Sequence, residues 1–166
     1  MAALTAVGAM VRVPLPYVPL TLQPAFVCLS GLWLGPLLGA ASQGVYLAAG
    51  LLGAPVFARG GGPQYVLEPT FGYLLAYPAA ALVAGWIGRR PSFRWTVMAV
   101  LAAYGAIYVL GIAVLYANLR YVVGQPITPA GAARLGLAPL PKDLLLGPAV
   151  AYLAHLVRRR LPIARP

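Results

Sequence analysis

Two carboxylates, Glu68 and Asp143, are the whole acidic complement of this 166-residue chain. Both fall in polar breaks between apolar runs. A carboxylate is an acceptor-only group, suited to a ligand that presents paired N–H donors. Arg59 and Lys142 share those two breaks, and a cation there can neutralise a ligand carboxylate. Gln23 adds an amide that donates and accepts. Tyr65, Phe71 and Tyr73 offer apolar walls, the tyrosines with polar tips, which is the usual lining of a small-molecule pocket. Together these residues describe recognition of a small, partly polar, anionic molecule. Each acid also has a plainer role. Asp143 opens an apolar run, where an acid complements the helix macrodipole, and Glu68 before Pro69 can be a solvated loop carboxylate.

Other chemistries lack their parts. Gly60-Gly61-Gly62 could bring backbone N–H groups to a phosphate, but the Gly-Lys-Ser/Thr of a P-loop does not follow, and the run opens onto Pro63. The single histidine, His155, has no second histidine for a metal pair and reads as an interfacial or packing residue. The single cysteine, Cys28, excludes an intrachain disulfide and reads as a small buried apolar side chain. There is no Gly-x-Ser-x-Gly elbow, and two carboxylates in separate loops are a poor basis for acid–base catalysis. The expectation is no enzyme, no metal and no nucleotide bound by this chain.

The elements that must position the site are set by composition. Hydrophobic residues make up 61% of the chain and charged residues 8%, with mean hydropathy +0.84. A soluble domain carries about 25% charged residues, so most of this surface must face membrane lipid. The net charge of +10 does not imply nucleic acid, because the basic residues sit in short clusters between apolar runs rather than along one face. Apolar runs punctuated by glycine and proline predict one transmembrane domain over 1–166, all-α, with helices at 2–13, 24–36, 39–53, 73–88, 92–117 and 142–160. The segment 118–140 reads as a mixed loop. The first helix would rise only about 18 Å, short of a bilayer core, so it is either oblique and sheltered or cut short.

Six helices put both termini on one side. With that side cytoplasmic, Arg89, Arg90, Arg94, Arg158, Arg159, Arg160 and Arg165 are inside, while Arg12, Arg59, Arg120, Arg134 and Lys142 are outside. The clustered charges then follow the positive-inside bias of a multi-pass cell-membrane protein. Gln23, Arg59, Glu68, Lys142 and Asp143 all fall in the outer half. On the first helix Ala2, Ala6 and Ala9 form a small-residue face for close approach of another helix, within the chain or in a partner subunit.

Five blocks in order carry a family resemblance: VPLPYVPLTLQ, WLGPLLGAASQGVYLAAGLLGAPVFA, GGGPQYVLEPTFGYLLAYP, YVLGIAVLYANLRYVVG and PLPKDLLLG. In them the chain resembles the BioY family, the substrate-binding S-components of energy-coupling-factor (ECF) biotin transporters. The resemblance implies a six-helix bundle holding biotin under the first and third outer loops. It also implies a transmembrane coupling subunit, against which the alanine face of the first helix docks, and a pair of cytoplasmic ATPases that hydrolyse ATP. By similarity, Asp143 holds the ureido N–H groups of biotin, and Gln23 and Arg59 add polar contacts. The family often places a lysine three residues after this aspartate, whereas this chain has Lys142 before Asp143 and Leu146 at the later position. The carboxylate contact therefore passes to Lys142 or to Arg59. Alternatives are an S-component for another vitamin and a non-transport structural subunit of the membrane.

Overall fold

The computed structural model describes residues 1–90 and 92–160. Arg165, counted above among the inner charges, lies outside the described residues. The fold is all-α, with seven helices among the described residues: α1 (Ala2–Met10), α2 (Gln23–Leu34), α3 (Pro36–Leu51), α4 (Phe71–Ile87), α5 (Phe93–Ala117), α6 (Pro129–Gly136) and α7 (Leu140–Arg160). Two short strands, β1 (Arg12–Val13) and β2 (Leu20–Thr21), pair antiparallel with Arg12 opposite Thr21.

The differences from the sequence-based bounds have local causes. α1 stops at Met10 and not at residue 13, because Arg12 and Val13 pair as β1. Pro14 already biases the residue before it toward extended geometry. α3 begins at Pro36, three residues earlier than expected, since Gly35 at φ 80° makes the whole turn from α2 and proline suits the first helical position. α4 begins at Phe71, ahead of residue 73. The segment 118–140 is not simply a loop. A π-helical turn (Asn118–Val122) extends α5, and α6 follows, with Thr128 as a working N-cap that accepts from the Gly131 N–H at 3.1 Å.

α4 is the central helix, packed most heavily on α5 and then on α3 and α2. Lipid tails are as apolar as the helix faces, so association must come from close packing and polar contacts rather than from hydrophobic burial. Ala76, Ala80, Ala81 and Ala84 of α4 are fully buried. A Cβ on Gly31 of α2 would collide with the Ala81 carbonyl, and one on Gly85 with the backbone of Pro36. Thr5 and Gln43, both fully buried, hydrogen-bond at 3.1–3.2 Å and tie α1 to α3.

Among the described residues, the continuous helix Phe93–Val122 is the one long and apolar enough to cross a membrane by itself. α2, with 12 residues, spans roughly 18 Å at 1.5 Å per residue and depends on its neighbours for shelter. The bundle has two polar ends. At one, Arg158 at the end of α7 donates to the Gly88 carbonyl beyond α4, and Arg90 lies 3.8 Å from the Trp95 ring centre. His155 there stands edge-on to Phe93, as a packing residue would. The other end gathers the hairpin, the segment between α3 and α4, and the start of α7.

Of the first-helix alanines, Ala9 is 2% exposed and Ala2 and Ala6 are half-buried against the core. Internal packing therefore accounts for Ala9. The outward face of α1 carries Leu4, Val7 and Met10.

Candidate functional site

Asp143 sits in the first turn of α7 and is 2% exposed. A charge this deeply placed must be paired and hydrogen-bonded. Lys142 Nζ lies 2.5 Å from Oδ1, and the Tyr108 hydroxyl donates to Oδ2 at 2.6 Å. Lys142 also donates to the Thr21 carbonyl on β2, which joins the acid to the hairpin. Each carboxylate oxygen has two lone-pair sites, so one acceptor site per oxygen remains. The arrangement is a fixed, paired acceptor inside apolar surroundings.

Gln23, Tyr65, Tyr73, Lys142 and Asp143 line one cavity. Its space open to the centre of a water molecule is about 40 Å³. That admits a few waters, against roughly 300 Å³ or more for a typical ligand pocket, so a larger ligand must part the walls. The Gln23 amide is held in position: Oε1 accepts from Thr21 Oγ1 at 3.0 Å and Nε2 donates to the Tyr46 hydroxyl at 2.6 Å. Tyr73 contributes its ring, while its hydroxyl donates to the Gly136 carbonyl of α6 at 2.8 Å. Its ring meets Tyr108 edge-on at 6.0 Å. Tyr65 packs on Phe57 at 4.6 Å, and burial pushes its phenol above the ordinary range, so it stays protonated at neutral pH.

Arg59 does not line this cavity. It lies with Arg12 along a neighbouring groove that shares Pro19 and Ala58 with the cavity wall. Its guanidinium donates to the carbonyls of Leu15, Pro16 and Tyr17, the Pro16 bond being 2.9 Å, and it meets Glu68 at 3.4 Å. Arg59 thus clasps the proline loop of the hairpin to the segment before α4. The ion pair is about one-third exposed on each side, so it adds little by itself. The loop is further pinned where Asn118 Nδ2 donates to the Leu67 carbonyl at 2.6 Å. Glu68 is the clasp's partner rather than a wall of the cavity.

Sequence reasoning missed Tyr108, Thr70 and Thr21. Tyr108 lies in the longest apolar run, where a hydroxyl needs a partner and therefore points at a polar neighbour. That signal was available. Thr21 was not legible, because its role depends on the hairpin register and on where α7 begins.

The protein-family model described as the BioY family matches residues 1–163. The chain belongs to the BioY family. A relative from Lysinibacillus sphaericus named "Probable biotin transporter BioY" is 48% identical over 122 residues, covering 72% of this chain and 62% of the relative. One of the same name from Pyrococcus horikoshii is 46% identical over 103 residues, covering 61% and 64%. The chain thus spans less than two thirds of the length of these two relatives. A crystal structure of the S-component for biotin from an ECF-type ABC transporter shares the fold, with TM-score 0.83, 21% identity, and coverage of 95% of this chain and 86% of that one. The BioY fold is therefore the all-α S-component bundle, and with the family comes its membrane setting.

Proposed function

We propose that this chain is a biotin-binding S-component: it takes biotin from the outer side of the cell membrane and works with an ECF coupling subunit and an ATPase pair. The observation that carries the reading is the buried Asp143 carboxylate, held by Lys142 and Tyr108 with one acceptor site left on each oxygen. A cyclic urea presents an N–H donor at its edge that one of these free acceptor sites can take. The tyrosine walls suit the apolar ring beside the urea. The names of its relatives support the same ligand.

In this reading the ureido ring lies at Asp143 and the acyl tail runs past Pro19 and Ala58 toward Arg59. Both cations are engaged, Lys142 with Asp143 and the Thr21 carbonyl and Arg59 with Glu68 and the proline-loop carbonyls, but Arg59 is the more exposed of the two, which favours it as the carboxylate partner. Gln23, Tyr65 and Tyr73 shape the pocket. The Arg158-to-Gly88 end, with Arg89, Arg90, Arg94, Arg159 and Arg160, is the cytoplasmic end, which puts both termini inside. Ala2 and Ala6 keep exposed surface for the coupling subunit, whereas Ala9 is enclosed.

Calorimetric titration of the purified protein with biotin, thiamine and riboflavin tests the assignment. Saturable heat with biotin alone is expected, and none with biotin would sink it. Arg59→Ala should weaken biotin roughly tenfold more than it weakens biotin amide, the value of one charge-assisted contact, any loss shared by the two coming from the loosened loop. If the variant still prefers the acid over the amide as the wild type does, the carboxylate is bound elsewhere.

A further inference from the structure

At the end of the bundle where α7 finishes, Arg89, Arg90 and Arg94 surround the connection from α4 to α5, and Arg158, Arg159 and Arg160 close α7. The bond from Arg158 to the Gly88 carbonyl brings the two groups together. The two acidic side chains of the whole sequence, Glu68 and Asp143, lie at the opposite end, before α4 and in the first turn of α7. The 17 residues of α4 alone rise roughly 25 Å, well beyond the screening length of about 10 Å at ordinary ionic strength. Both ion pairs among the described residues are also at that far end. No acidic side chain of the chain therefore neutralises these arginines.

Two of the guanidinium groups are held in place without an acid. Arg158 is tied to backbone, and Arg90 lies over the Trp95 ring at 3.8 Å, a cation–π contact. A guanidinium fixed in advance loses less freedom when its fork meets two phosphate oxygens. The surface that continues from the arginines into the membrane is apolar and outward-facing. On α5, Arg94, Met98 and Leu101 recur at i, i+4 and i+7 and so share a face, with Met98 52% and Leu101 48% exposed. On α4, the exposed Leu82 and Trp86 have the same spacing, and Trp86 stands one turn before the arginines, at the depth where interfacial indoles collect. A free phosphate would use the arginines alone. A phospholipid uses the arginines for its headgroup and the apolar stripe for its chains.

We propose that this end carries a binding site for an anionic phospholipid, with Arg90 and Arg94 on the headgroup phosphate and an acyl chain along Met98 and Leu101. Clusters of four to eight basic residues at the end of a membrane helix have this affinity because each adds attraction to an anionic headgroup. The inference rests on the family's membrane setting and not on the biotin reading.

The experiment uses the purified full chain in neutral detergent, as wild type, as Arg90→Gln/Arg94→Gln, and as Arg120→Gln/Arg134→Gln. The last pair removes the same charge from exposed arginines on α6 and the turn before it. Each protein is titrated with phosphatidylglycerol and with phosphatidylcholine of the same acyl chains, bound lipid is counted by native mass spectrometry, and each is melted without lipid. The wild type should retain phosphatidylglycerol in preference to phosphatidylcholine. Arg90→Gln/Arg94→Gln should lower phosphatidylglycerol affinity tenfold or more, at roughly fivefold for each arginine, while melting with the wild type when lipid is absent. Arg120→Gln/Arg134→Gln should keep the preference. Glycerol 3-phosphate, the headgroup phosphate without chains, should fail to displace the lipid at equal concentration. Equal retention of the two lipids by the wild type overturns the proposal and is the result expected if these arginines serve an acidic protein partner instead. Equal losses in the two double variants overturn it by showing that net charge alone attracts the lipid. Displacement by glycerol 3-phosphate overturns it in favour of a plain phosphate site.

Discussion

Asp143→Asn should lower biotin affinity by one to two orders of magnitude. The carboxylate offers a charge-assisted acceptor to a ureido N–H, and such a bond contributes about 1.5–3 kcal/mol, where 1.4 kcal/mol is tenfold. Asparagine keeps one carbonyl acceptor but turns an N–H₂ donor toward either Tyr108 or Lys142, and both of those groups donate to the native acid. The variant also removes the counter-charge of Lys142, which is only 22% exposed. Lys142 keeps its bond to the Thr21 carbonyl, so the hairpin should remain in place. Titration of biotin into the variant, beside a melting curve showing that it is folded, separates binding from stability. Wild-type affinity in a folded Asp143→Asn protein would mean that the urea is held elsewhere.

Gly31→Val should be the most damaging change outside the site. Its Cβ would run into the Ala81 carbonyl of α4 and crowd the Gly85 amide, which are backbone atoms that no rotamer change can move. Overpacking of a side-chain core costs typically 1–3 kcal/mol, and a helix–helix contact made backbone to backbone has less room to relax, so about 3 kcal/mol or more is expected. Because α2 carries Gln23 and α4 carries Thr70, separating them also widens the cavity. The expected result is a melting temperature lower by several degrees together with weaker biotin binding. A variant that melts with the wild type would show that the α2–α4 contact is looser than the backbone geometry indicates.

The two changes differ in how far the sequence foreshadows them. Asp143 could be chosen from the chain alone, because an acid is rare in so apolar a composition and its place at a helix start is readable. Gly31 is one glycine among many, and only the proximity of α4 distinguishes it. The departure at Leu146 likewise left the carboxylate partner open between Lys142 and Arg59. In the structure Lys142 is bound to Asp143 and to the Thr21 carbonyl, the latter a contact between residues more than a hundred positions apart. Arg59 was expected in the pocket wall and instead clasps the proline loop from a neighbouring groove, because the carbonyls of Leu15, Pro16 and Tyr17 turn toward it.

By itself the sequence determined the solvent, the fold class and the family. Too few charges for a hydrated surface require lipid around the bundle, and glycine and proline mark where backbone geometry must turn, so the order of the six expected helices follows from local rules, whereas α6, inside a segment read as a loop, does not. It also determined the acid at the centre of the site. The tertiary structure alone decided which groups share a cavity with that acid. Tyr108 on α5, Thr21 on β2 and Thr70 at the start of α4 reach the cavity of α7 through helix packing and a two-residue strand pair. Those contacts join segments far apart in the chain, and no periodicity or spacing encodes them.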